Sequence, residues 1–87
     1  MRGSPPRPRE RLVVPDLGLG EVTLTLSLWL VPPGASVLAG DRVAELSAGG
    51  VTIDLEAPVS GRLVSRLVDE DDRLRPGEVI AEFEVAA

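Results

Sequence analysis

The chain has 87 residues, 44% of them hydrophobic but only 2% aromatic, and a formal net charge of −5. That length suits one small domain, and a core built from Val, Leu and Ile almost without rings favours sheets. Cys, His and Lys are all absent. Their absence excludes disulfides, thiolate metal sites, Ser–His and Cys–His catalytic pairs, and any cofactor carried on a lysine.

Charge is unevenly distributed. Residues 1–12 hold four Arg against one Glu, a local charge of +3, and residues 13–87 hold five Arg against thirteen acids, or −8. An acidic body repels phosphate backbones, so nucleic acid is not an expected partner. No apolar run approaches the ~20 residues of a membrane span, and there is no signal-peptide pattern. The expected location is cytoplasmic, with no membrane association.

Residues 1–11, M-R-G-S-P-P-R-P-R-E-R, combine three prolines with four arginines and read as a disordered tail or an extended inter-domain linker. The folded domain is expected over 12–87. Leu12-Val13-Val14 reads as a short strand stopped by Pro15, and Pro15 to Gly20 as a loop with two glycines. From Val22 to Val31 runs the strongest strand pattern. Apolar residues at 22, 24, 26, 28 and 30 are expected inside, with Thr23, Thr25, Ser27 and Trp29 outside. An outward Trp29 is either a binding hot spot or a ring lying across its neighbours.

Pro32 to Ser36 is a turn, and Arg42 to Leu46 leads into a second pattern, Glu45 to Pro58. There Val51, Ile53 and Leu55 alternate with Thr52, Asp54 and Glu56, and Gly49-Gly50 precedes them. Paired glycines suit a two-residue hairpin turn of the primed type, because both take positive φ at no cost. Arg62 to Val68 reads as a further strand, Asp69 to Asp72 as a solvated acidic turn, and Leu74 to Phe83 as the closing segment. The acidic turn lacks the spacing and closing Glu of an EF-hand, so no metal site is expected.

The two halves repeat at a shift of 37 residues. Leu26 falls on Leu63, Val37 on Leu74, Gly40 on Gly77, Val43 on Ile80 and Leu46 on Phe83. Two similar four-strand units related by a quasi-twofold are therefore expected. Interlocking them into a flattened antiparallel barrel or sandwich removes most open edges.

Five motifs in this order carry a resemblance: Pro15-x-Leu17-Gly18, Trp29-Leu30-Val31, Val37-x-x-Gly40-Asp41, Glu56-Ala57-Pro58 and Gly77-Glu78-Val79-Ile80-Ala81. The chain resembles the lipoyl/biotinyl carrier domains, most closely the lipoyl domains of 2-oxo acid dehydrogenase acyltransferases. In that family the central hairpin reads E-x-E-T-D-K-A-x-x-E-V-x-A-P, with the cofactor on its lysine. Aligned back from Glu56-Ala57-Pro58, the family's D-K-A falls on Gly49, Gly50 and Val51, so the lysine position is Gly50. The resemblance thus implies an all-β lipoyl-domain-like fold, with attachment of lipoate or biotin impossible at Gly50.

The family loop P-x-L-G-E-G falls on Pro15 to Gly20, with Leu19 in place of the acid and Glu21 one position late. The resemblance makes Leu17, Leu19, Glu21, Asp54 and Glu56 a candidate partner-recognition surface. No catalytic residue is expected. The expected function is a non-catalytic protein-binding or structural module, monomeric as an isolated domain. The alternative is an accessory subunit docking on 2-oxo acid dehydrogenase or carboxylase components. A working carrier modified at some other group is the third reading.

Overall fold

The computed structural model describes residues 7–86. Eight strands follow one another: β1 (Arg9–Val13), β2 (Leu24–Trp29), β3 (Ser36–Val37), β4 (Arg42–Ala48), β5 (Val51–Glu56), β6 (Gly61–Arg66), β7 (Arg73–Leu74) and β8 (Val79–Val85). They form two antiparallel four-stranded sheets, ordered β1-β8-β6-β3 and β5-β4-β2-β7, which pack as a flattened sandwich. Each sheet takes two strands from each half of the chain, so neither half closes a core alone. Phe83, Leu26, Leu46, Leu63, Ile80, Val14 and Val43 fill the interior.

The repeat seen in the sequence is a repeat of hydrogen bonds. Leu30 N–H donates to Val43 O, and 37 residues on Leu67 N–H donates to Ile80 O. Asp41 Oδ2 accepts from Leu38 N–H as Glu78 Oε1 accepts from Arg75 N–H. Register irregularities fall between Leu26 and Leu28 and between Leu63 and Ser65, again 37 apart. The outer strands repeat at a shift of 43. Gly77 N–H donates to Val14 O as Gly40 N–H donates to Ala57 O, which matches Val14-Pro15 with Ala57-Pro58. The difference of six residues lies in one loop: Asp16–Thr23 spans eight residues where Val59–Ser60 spans two.

Two expectations need correction. The strand expected over 22–31 covers Leu24–Trp29, and its alternation breaks at the bulge near Ser27. A bulge puts two residues opposite one and so reverses the faces beyond it. Leu26 is fully buried, Leu28 is 41% exposed, and Trp29, expected outside, is only 9% exposed. Trp29 Nε1–H donates to Val68 O at 3.0 Å, and the Arg66 guanidinium lies 5.5 Å from the ring centroid. Trp29 and Arg66 are themselves 37 apart, so this pair sits across the quasi-twofold.

The second correction concerns the segment read as a tail through residue 11. Arg9, Glu10 and Arg11 belong to β1 and pair with β8, and Val85 N–H donates to Pro8 O. Alternation alone missed this, because β1 is an edge strand whose outward residues are charged. Residues 1–6 of that segment lie outside the described residues. The acidic turn is exposed over Asp69–Asp72, as expected, and two of its carboxylates also accept backbone hydrogen bonds. Glu70 Oε2 accepts from Trp29 N–H at 2.9 Å and Asp72 Oδ2 from Asp69 N–H at 2.8 Å. Asp71 holds φ +74°, where its counterpart 37 residues earlier is Gly34 at +88°.

Candidate functional site

The β4–β5 hairpin forms one end of the sandwich. Ala48 pairs with Val51, and the two residues between them make the turn. Gly49 has φ +56° and Gly50 φ +88°, so both central positions are left-handed, as a type I′ turn requires. The expectation from the Gly-Gly pair holds. Both glycines are exposed, and Val51 beside them is 60% exposed despite its place in the alternation. The apex presents backbone amides and one aliphatic side chain, with no ionisable group.

The opposite end holds Arg7 and Ala86, the first and last described residues. β5 runs away from the turn towards Ser60, whose carbonyl accepts from Ala86 N–H at 2.9 Å. Under the quasi-twofold, Gly49 and Gly50 correspond to Ala86 and Arg7.

The inserted loop Asp16–Thr23 stands beside the turn. A β-carbon on Gly49 would lie 3.3 Å from Val22 Cγ1, so the loop's end packs on the hairpin. An Asx hydrogen bond from Gly18 N–H to Asp16 Oδ1 at 3.0 Å shapes the loop. Leu17 is half-buried, and Glu21 is exposed. Leu19 is 45% exposed and Val22 39%. Together with Val51, they give this end an aliphatic surface around a glycine apex.

Asp54 and Glu56 lie elsewhere on the hairpin. They share the outer face of β5, three and five residues from Val51, about 10 and 17 Å away at the rise of a strand. Asp54 Oδ2 is 3.5 Å from Arg42 Nη1, an exposed pair worth about 0–1 kcal/mol. The structure thus keeps Leu17, Leu19 and Glu21 together in the loop whose end, Val22, meets the turn, and leaves Asp54 and Glu56 along the flank of β5. Sequence reading missed Val22, which had been assigned to the inner face of β2. It also missed β7, where Leu74 pairs with Leu24 beneath the loop and Arg73 with Thr25. No local signal in residues 73–76 points to the loop, because the contact is made only through sheet pairing.

The family model described as "Biotin-requiring enzyme", covering biotin- and lipoyl-type domains, matches residues 10–83. The chain belongs to the biotin/lipoyl family.

Among curated relatives, this biotin/lipoyl domain is 35% identical over 68 residues to the dihydrolipoyllysine-residue acetyltransferase component of the pyruvate dehydrogenase complex of Corynebacterium glutamicum. The match covers 78% of the chain and 10% of that protein. It is 31% identical over 75 residues to the lipoamide acyltransferase component of the branched-chain alpha-keto acid dehydrogenase complex of Bacillus subtilis, covering 86% of the chain and 18% of that protein. The chain therefore spans less than a fifth of either relative. Among solved structures, the urea carboxylase of Kluyveromyces lactis superposes with a TM-score of 0.74 at 23% identity. That match covers 95% of the chain and 7% of the carboxylase, and it is a likeness of fold.

Proposed function

We propose that this chain is a lipoyl-type domain whose attachment lysine is replaced by Gly50, and that it serves as a non-catalytic docking module in a 2-oxo acid dehydrogenase-type assembly. The observation that carries the reading is the Gly49-Gly50 turn at the apex of the hairpin in a chain without lysine. A carrier works by swinging a long arm between active sites at high effective concentration. The arm needs an amine at the turn, and Gly50 supplies only backbone. What remains is the surface around the missing arm: Leu17, Leu19 and Glu21 of the loop, with Gly49 to Val51. Asp54 and Glu56 flank it along β5. The names of the sequence relatives favour dehydrogenase components as partners.

Two measurements test this. Incubation of the full chain with a lipoate ligase or a biotin ligase should leave its intact mass unchanged; addition of one lipoyl or biotinyl group refutes the missing-acceptor reading. Excess chain should also slow the reductive acylation of a separate lipoylated domain by a 2-oxo acid decarboxylase component. No slowing at large excess refutes docking. The second reading, an accessory domain of a biotin-dependent carboxylase, is favoured by the likeness of fold to urea carboxylase. It predicts competition against a biotinylated domain at a biotin carboxylase instead.

A further inference from the structure

Each sheet has a long strand with one open side. Among the described residues, β1 pairs only with β8 and β5 only with β4. The quasi-twofold makes these two strands equivalent, matching Arg9 with Thr52, Arg11 with Asp54 and Val13 with Glu56. Backbone hydrogen bonds show which groups face the open sides. Ala57 N–H donates to Asp41 O, and Ala57 O accepts from Gly40 N–H, so alternation turns Thr52, Asp54 and Glu56 outward. Val85 N–H donates to Pro8 O, so on β1 the outward groups belong to Arg9, Arg11 and Val13. All six residues are exposed.

An unpaired edge is a template for a further strand, and charge on it normally discourages pairing. Here each edge carries a single sign at its outward positions, Arg9 and Arg11 on β1 and Asp54 and Glu56 on β5. Two β1 edges repel each other, and so do two β5 edges, but β1 against β5 does not. We infer that β1 of one copy of this chain adds antiparallel to β5 of a second copy, setting Arg9 opposite Glu56, Arg11 opposite Asp54 and Val13 opposite Thr52. Sliding the register by two residues either way leaves one opposite-charge pair in place of two. The neighbouring charges continue the pattern. Glu84 lies between Arg62 and Arg9, and Arg42 lies beside Glu56. One row therefore alternates in sign across five strands: Arg62, Glu84 and Arg9, then Glu56 and Arg42 of the second copy. The next row runs Glu82 and Arg11, then Asp54 and Glu45 of the second copy, and its one like-signed step already exists within each chain. Glu10 alternates to the other face of β1, with Leu12. The ion pairs Arg9–Glu82 at 3.8 Å and Arg42–Asp54 at 3.5 Å are exposed, so the new contacts extend them at little cost. The contact is heterologous and leaves a free edge on each side, so association does not stop at two copies. It spans only the five residues of β1, so the dilute chain stays monomeric.

The test uses the full 87-residue chain from micromolar to millimolar concentration, with light scattering and amide chemical shifts read together. At low salt the average mass of the parent should rise roughly twofold or more with concentration, and high salt should reverse the rise. The shifts that follow concentration should centre on Arg9, Arg11, Asp54 and Glu56 and spare Gly49 and Gly50. The variants R9E/R11E and D54R/E56R each have two edges of like sign and should stay monomeric. An equimolar mixture of the two should associate, because each then offers the other an opposite edge. Trp29 emission matching the parent's establishes that a variant is folded; where one is not, the parent's shift map and salt dependence decide. A parent that stays monomeric at millimolar concentration overturns the proposal, as does association strengthened by salt. A mixture no larger than its folded parts also overturns it. So do shifts confined to Leu19, Val22 and Val51, which place self-association at the turn. The proposal is independent of the docking reading above, which competition at a decarboxylase tests separately.

Discussion

Gly50→Lys restores an amine where the family carries one, and the structure sets its cost. Gly50 holds φ +88°, and a β-carbon there would meet nothing within 4 Å. The penalty is therefore conformational and not steric. Placing an L-residue in the left-handed region costs about 1–2 kcal/mol. Against a total of ~5–15 kcal/mol the domain stays folded. For a chain of this size each kcal/mol moves Tm by about 4–8 °C, so the expected loss is roughly 4–16 °C. Gly50→Val should lose more, because β-branched residues fit positive φ worst. Gly49→Asn should lose least. Its φ of +56° lies in the region Asn tolerates, and the one close neighbour is the exposed Val22 side chain, which has room to turn. Thermal melts of the four proteins give the ranking. If Gly50→Lys and Gly50→Val both melt with the parent, the turn does not depend on left-handed glycine. In that case the lysine alone separates this domain from a working carrier.

The bulge in β2 separates two leucines that pattern alone treats alike. Leu26→Ala should cost about 2–5 kcal/mol in denaturant titration and Leu28→Ala less than about 1 kcal/mol, since only Leu26 is buried. Gly61→Ala should be among the most damaging single changes, at about 3 kcal/mol or more. Its β-carbon would stand 1.9 Å from the Glu84 carbonyl oxygen, where only backbone can yield. Asp71→Gly should stabilise by about 1 kcal/mol, by relieving a positive φ that the equivalent turn assigns to Gly34. A melting point at or below the parent's contradicts that account.

The amino-acid pattern on its own determined the all-β class, the duplicated architecture and the position of the turn. Each of these depends on local spacing: alternation along Val51–Glu56, glycines where the chain reverses, and apolar positions that recur after 37 residues. It also determined that no lysine amine is present anywhere. The faces of β2 were legible only as far as Leu26, because a bulge adds one residue to one strand against its partner. Nothing in Ser27-Leu28-Trp29 marks where that happens. Trp29 is buried by a carbonyl at Val68 and a guanidinium at Arg66, both supplied by the other half of the chain. β1 was read short at its start because an edge strand needs only one apolar face, and Arg9 and Arg11 cover the other. A slot between the inserted loop and β7 was decided by tertiary structure alone. Its walls come from residues 16–24 and its far side from 74–76, segments brought together by the pairing of Leu24 with Leu74 across about fifty residues of chain. Periodicity reports what each strand buries, and it carries no record of which strands become neighbours.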